Sequence, residues 1–268
     1  MFTYRMTEPL RRAVDRLEAL RAVLDSGELL PRRWMGRLRR ELEAEAVAAS
    51  TSMEGVPVTV DEVRRILAGD RPPTVAPSDA RLVAGYREAM AFVLRRADAA
   101  AFSWHRELII AIHDHVLGGS FALGAGDFRR RMVYVGSAER GIVYEPPAPE
   151  QVASEVDALT DWLAQAEGSR QPAPLRAALA HLRLAAIHPF ADGNGRTARI
   201  LASLVMVRGG YRRPEFTSLE EWWGRHQQAY YAAFDCLGPK WAADADVTGF
   251  VETHVKAQVA QVEALSLR

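Results

Sequence analysis

The chain has 268 residues, 49% of them hydrophobic and 25% charged, with 34 Lys and Arg balanced by 34 Asp and Glu. That is an ordinary globular composition, long enough to bury a full core in one large domain or one domain with a small appendage. Zero net charge gives no general attraction to nucleic acid or membrane, the lone Cys236 excludes an intrachain disulfide and a Cys-based zinc site, and no apolar run reaches membrane-spanning length.

The charged stretch Met1 to Arg21 is not a signal peptide, so a cytoplasmic protein is expected. Leu10, Val14, Leu17, Leu20 and Leu24 predict a helix over Pro9 to Leu24, followed by a break at Ser26-Gly27. A second helix is expected from Arg32 to Met53, with the Arg37-Leu38-Arg39-Arg40 run as a solvated face. Thr59 with Glu62 three residues later reads as a capping box opening a helix to about Leu67. Helices are expected over Ser78 to Arg96 and Ser103 to Val116, then an irregular glycine-rich stretch from Gly118 to Asp127. Arg131 to Val135 and Ile142 to Tyr144 alternate β-branched and aromatic residues around a turn at Gly136 to Gly141, which predicts a β-hairpin ended by Pro146, Pro147 and Pro149. The remaining helices are expected over Pro149 to Ala166, Pro174 to Ile187, Ser218 to Cys236 and Ala245 to Leu265. His113 and His115, two apart, fall on different faces of a helix and read as core or surface histidines rather than joint metal ligands.

The run His188-Pro189-Phe190-Ala191-Asp192-Gly193-Asn194-Gly195-Arg196-Thr197-Ala198-Arg199 concentrates chemistry between two apolar stretches. His188 can take and give a proton near neutral pH. Asp192 is a hard oxygen ligand suited to Mg²⁺ beside phosphates. Gly193 and Gly195 allow close backbone approach, and Asn194 carries an amide donor. Arg196 and Arg199 offer planar forks matched to phosphate. A glycine-flanked loop entering a helix presents free N–H groups and a positive dipole end, an anion cradle. Phe190 reads as the apolar pin of the loop. The set describes phosphoryl or nucleotidyl transfer, in which positioning and charge stabilisation do most of the catalysis.

This segment resembles the signature of the Fic (Fido) family, His-x-Phe-x-(Asp/Glu)-Gly-Asn-Gly-Arg-x-x-Arg, at all eight specified positions. The resemblance implies an all-α, Fic-type helical bundle with a short β-hairpin flap over the active site. It also implies transfer of AMP from ATP to a hydroxyl side chain of a protein, with release of pyrophosphate. On that analogy His188 is the base and Asp192 holds Mg²⁺ on the α- and β-phosphates. Gly193, Asn194 and Gly195 bind phosphate, Arg196 takes the β-phosphate region and Arg199 clamps the γ-phosphate. Tyr230 and Tyr231 fall where relatives place groups near the adenine, with one of the two expected in the core. The flap residues Met132, Val133, Tyr134 and Val135 are expected to pair with the target as an added strand, led in by Arg129 of Gly126-Asp127-Phe128-Arg129.

Ser50-Thr51-Ser52-Met53-Glu54-Gly55 fits the family's inhibitory pattern, (Ser/Thr)-x-x-x-Glu-(Gly/Asn), at the end of a helix. A bland reading stands beside it: Gly55 as the left-handed cap and Glu54 in solvent. A Glu at a helix C-terminus is disfavoured by the dipole, and a cation opposite would explain it. The resemblance names that cation as Arg199. The division expected is 1–75 as a helical segment carrying the inhibitory motif, 76–240 as the Fic domain and 241–268 as a C-terminal helix packed on it. Expected partners are ATP and a protein offering a Ser, Thr or Tyr hydroxyl, its own surface included, with room for a homodimer but no nucleic acid and no membrane. Other readings are AMP removal or transfer of another phosphate-containing group at the same site, a toxin-like relative, and a silent nucleotide-binding interaction protein. The intact His188 argues against the last.

Overall fold

The computed structural model describes residues 2–26, 32–137 and 141–266. Among them are eleven α-helices and one two-stranded antiparallel sheet. Helix α1 (Glu8–Ser26) packs on the last helix, α11 (Thr248–Ser266), and α2 (Arg32–Ser52) lies against α3 (Val60–Leu67), α4 (Pro77–Ala97) and α9 (Leu219–Arg225). The centre is the pair α7 (Ala173–Ile187) and α8 (Asn194–Arg208), which makes the most extensive helix contact and is flanked by α4, α5 (Arg106–Val116) and α6 (Pro149–Glu167). Leu10, Val47, Val63, Ile109, Leu184, Val205 and Val255, from seven helices, belong to one continuous apolar core. Almost every residue of α7 and α8 is buried, so neither helix keeps a broad solvent face, and polar groups such as His181 and Arg183 on α7 and Asn194, Arg196 and Arg199 on α8 are buried with the apolar ones. The loop 188–193 joins these two helices, so the most deeply packed part of the protein holds it.

The local signals explain most boundaries. The Glu62 N–H donates to Thr59 Oγ1 at 3.2 Å, and the Thr59 N–H donates back to Glu62 at 2.9 Å, completing the capping box of α3. Pro149 and Pro174 stand in the first turns of α6 and α7, where a missing N–H costs nothing. Gly55, at φ +81°, turns the chain after α2, and the Val56 N–H returns to the Thr51 carbonyl at 3.1 Å.

Three expectations are corrected. The helix expected from Ser103 begins at Arg106, because His105 is extended and Trp104 is turned inward, its indole donating to Glu167 at 2.6 Å. The helix expected over Ser218 to Cys236 is broken at His226 into α9 and α10 (Gln227–Ala233), followed by a 3₁₀ turn over Phe234–Leu237. At the break the His226 ring stacks on Trp222 and its Nδ1 donates to the Trp222 carbonyl at 2.8 Å. The hairpin is shifted. Strand β1 covers Val135–Ser137 and β2 Gly141–Tyr144, with a bulge between Val135 and Gly136. Of the four expected flap residues only Val135 is in a strand; Met132, Val133 and Tyr134 precede it without ladder pairing. Gly136 is the reason for the register, because an added Cβ would lie 2.1 Å from the Gly141 carbonyl oxygen. The turn residues 138–140, the Gly27 break and the side chains of Arg37, Leu38 and Arg39 lie outside the described residues. Among the described residues no helix is long and apolar enough to cross a membrane.

Candidate active site

Helix α7 ends at His188, which has φ +50° and is the sole non-glycine residue at positive φ among those described. The left-handed turn swings the chain out of α7 into the loop that precedes α8. His188 Nδ1 lies 3.1 Å from the Ala185 carbonyl oxygen. A carbonyl only accepts, so this contact assigns the proton to Nδ1 and leaves the Nε2 lone pair free. Burial pushes the His188 pKa below its ordinary value, against the opposite pull of the Ala185 contact and of Glu54. The ring is therefore neutral at pH 7, the state a base requires.

Phe190 pins the loop, fully buried, with the His113 ring stacked on it at 3.5 Å. His113, by its spacing a core or surface histidine, holds this loop. Its Nδ1 accepts the Gly126 N–H at 3.0 Å, so Nε2 donates to the Asp192 carbonyl at 3.0 Å. Burial lowers its pKa to about 4, so it serves as a neutral strut. The signal was present: His113 stands four residues after Ile109 and three before Val116, both fully buried, on one helix face.

Gly193 starts α8 in the left-handed region, and the first intrahelical bond, Thr197 N–H to Gly193 carbonyl, is 3.0 Å. The N–H groups of Asn194, Gly195 and Arg196 thus have no intrahelical acceptor and face the loop's concavity. The Asn194 side chain has a different job from the phosphate contact expected of it. It is buried, its Oδ1 accepts the Phe190 N–H and its Nδ2 donates to the Phe190 carbonyl, both at 2.9 Å, so it clamps the loop. Arg196 is 1% exposed; one terminal nitrogen lies 3.3 Å from both Asp192 oxygens, while Nε and the other terminal nitrogen have no partner. Buried, unpaired guanidinium donors are costly, and an anionic guest in the cradle would satisfy them. Asp192 also accepts the Gly193 N–H at 2.6 Å, and its half-exposed carboxylate faces the opening.

Arg199, one turn further, is buried in a knot of four groups. Its Nε donates to Ser50 Oγ at 2.9 Å, and one terminal nitrogen donates to the Ser50 carbonyl at 3.1 Å and to Glu54 Oε1 at 2.8 Å. The other donates to the Tyr230 hydroxyl at 3.2 Å. Burial opposes the Arg199 charge, but Tyr230, Glu54 and Tyr86 more than offset it, so its pKa is raised. Glu54 also reaches over Gly195, where an added Cβ would lie 2.3 Å from Oε1. The inhibitory-type residues Ser50 and Glu54 are thus brought onto the loop, with Gly55 making the turn that aims Glu54. Of the two tyrosines Tyr230 is the core one, 3% exposed and hydrogen-bonded to His181 at 3.1 Å. Tyr231 stays 46% exposed beside the site and donates to the Met53 carbonyl at 3.0 Å.

Asp192 fits a Mg²⁺ ion, since that ion is normally held by one or two carboxylates plus substrate phosphates. Among the described residues no group of three or more His, Cys, Asp or Glu could hold a metal without such phosphates.

Residues 103–206 match the model of the Fic/DOC family. The chain is 33% identical over 215 residues to protein adenylyltransferase fic-1 of Caenorhabditis briggsae, an alignment covering 76% of this chain and 40% of that protein. It is 34% identical over 182 residues to protein adenylyltransferase Fic of Nematostella vectensis, covering 66% and 40%. The chain thus spans about 40% of the length of these curated relatives. Among solved structures, a Fic family protein from Desulfovibrio desulfuricans G20 superposes with a TM-score of 0.83 at 24% identity, over 100% of this chain and 77% of that one. Fic-1 from C. elegans superposes with a TM-score of 0.71 at 25% identity, over 96% and 72%.

Proposed function

The chain belongs to the Fic/DOC family by the domain it carries at residues 103–206, and on that premise we propose that it is a protein adenylyltransferase, transferring AMP from ATP to a protein hydroxyl and held off by Glu54. The observation that carries this reading is the loop itself. A neutral His188 with a free Nε2 stands at the edge of an anion cradle in which two buried Arg196 nitrogens lack partners. A module that merely bound nucleotide would need the cradle but not the base.

In the proposed reaction His188 Nε2 removes the proton from the attacking hydroxyl. The oxygen forms a bond to the α-phosphorus of ATP, the bond from that phosphorus to the β-bridging oxygen breaks, and pyrophosphate leaves. The α8 N-terminal N–H groups and Arg196 stabilise the charge that builds on the phosphates. Mg²⁺, held by Asp192, would supply further neutralisation of the di- and triphosphate oxygens. Arg199 can clamp the γ-phosphate when it is released from Glu54. The Glu54–Arg199 contact at 2.8 Å supports the inhibitory reading, because it occupies that clamp.

Labelled ATP tests the proposal. α-Phosphate label should become bound to protein and γ-phosphate label should not. Asp192→Ala should abolish the Mg²⁺ dependence. Label arriving from the γ-phosphate would replace adenylylation by phosphorylation.

A further inference from the structure

Arg129 lies between the flap and the loop, and the reactions above give it no task. It is 6% exposed. Its side chain spends the whole fork on backbone carbonyls. Nε donates to His188 at 2.8 Å, one terminal nitrogen to Arg131 at 3.2 Å, and the other to Pro147 and, at 3.5 Å, Ile187. Its own N–H donates to the Pro189 carbonyl at 2.9 Å. These carbonyls belong to three places. Arg131 lies just before the flap strands, Pro147 just after them, and Ile187 and His188 are the open C-terminal end of α7.

From this we propose that Arg129 is a positioning residue that couples the flap to the catalytic loop, fixing both flap ends and the backbone turn of His188 with one buried guanidinium. The inference rests on the reading of His188 as base.

The physical case has three parts. A helix C-terminus leaves carbonyls without intrahelical partners, and a cation there is favoured by the dipole. A guanidinium presents five N–H groups in a flat fork, so it can span separated carbonyls where a lysine ammonium acts as one point. Finally, His188 is a non-glycine residue held in the left-handed region at φ +50°, a sparsely populated conformation that its surroundings must hold in place. The contact to its carbonyl does so from the flap side while Ala185 holds the ring from the α7 side. Flap movement would thereby reach the base through a single side chain.

The charged groups acting on the His188 ring are Arg129 from the flap side, Glu54 from the end of α2 and Asp192 from the loop. Arg129 disfavours the imidazolium; the two carboxylates favour it.

The test uses the full chain and needs no known target. In Arg129→Gln, titration of the His188 ring followed by NMR should show a higher pKa than in the parent. Amide hydrogen exchange of the paired flap strands, Val135 to Ser137 and Gly141 to Tyr144, should quicken by about tenfold, while the amides of α8 keep their rates. Arg129→Lys keeps the charge, so the His188 pKa should stay at the parent's value while flap exchange still quickens. An unchanged His188 pKa in folded Arg129→Gln overturns the proposal. Flap exchange that changes only in step with α8 does so too, because it would mean loss of global stability. If Arg129→Gln does not fold, parental flap exchange in Arg129→Lys overturns it. None of these readings uses ATP, so a failure of nucleotide transfer leaves them standing on their own.

Discussion

Glu54 Oε1 and Arg199 lie 2.8 Å apart, 145 residues apart in sequence, with the arginine almost fully buried and the carboxylate one-fifth exposed. The pair is asymmetric. Arg199 keeps Ser50 and Tyr230 when Glu54 leaves, whereas the carboxylate can swing to solvent. A buried charge that loses its partner is costly, so departure of Glu54 favours whatever anion takes its place. On the proposed function that anion is the γ-phosphate of ATP.

Gly195 permits the approach of Glu54. Gly195→Ala would set a Cβ 2.3 Å from Glu54 Oε1 and push the carboxylate off Arg199. In the parent this should cost about 1–3 kcal/mol of unfolding free energy, since it disrupts a largely buried pair. With Glu54→Gly already present the same change should cost less, because only the approach of the added Cβ to the Arg199 guanidinium, at 3.1 Å, remains. Urea unfolding of the four proteins closes the cycle. Equal costs in the two backgrounds would show that Gly195 serves something other than Glu54.

Tyr230 and Tyr231 should part company. The Tyr230 hydroxyl sits between Arg199 and His181, and burial raises its pKa to about 12, so it stays a donor. Tyr230→Phe leaves a buried guanidinium nitrogen short of an acceptor, at a cost of about 1–3 kcal/mol. Tyr231→Phe loses one half-exposed bond to Met53 and should cost about 1 kcal/mol or less. Unfolding midpoints measure both, and equal losses would contradict the placement.

The pH dependence of transfer has a fixed sign. Burial holds the His188 pKa below 6.5, so the base takes up its proton at a lower pH than an ordinary imidazole. Glu54 pulls the pKa the other way, and Glu54→Gly therefore lowers it further. The half-maximal point in the pH–rate profile of the Glu54→Gly protein should lie below 6.5, on the acid side of an ordinary imidazole. A half-maximal point above 6.5 in the pH–rate profile would contradict this account of the base.

The helical frame was legible because periodicity and caps agreed, as at Thr59 and Glu62 or at Pro149. The loop was legible because eight chemically distinct positions coincide in twelve residues. What stayed hidden depends on contacts between distant segments. The break at His226 comes from stacking on Trp222, and without it Tyr230 and Tyr231 cannot be told apart. The hairpin register is set by the close approach of Gly136 to Gly141, which alternation alone does not encode. Asn194 reads as a phosphate donor by type, yet its geometry spends it on Phe190. Arg129 is marked by the Gly126-Asp127-Phe128-Arg129 lead into the flap, but the Pro147, Ile187 and His188 carbonyls it turns onto come from distant segments and leave no local trace.

The most direct test is incorporation of α-phosphate label from ATP into protein by the parent, by Glu54→Gly, and by Glu54→Gly combined with Arg199→Ala. An in-line attack is sensitive to placement, and an error of about 1 Å can cost on the order of 10²-fold in rate. Release of Arg199 should therefore raise labelling by about that factor in Glu54→Gly, and most of the gain should vanish when Arg199 is also removed. Parental labelling in Glu54→Gly, or a gain that survives Arg199→Ala, would contradict the claim that Glu54 restrains transfer through Arg199.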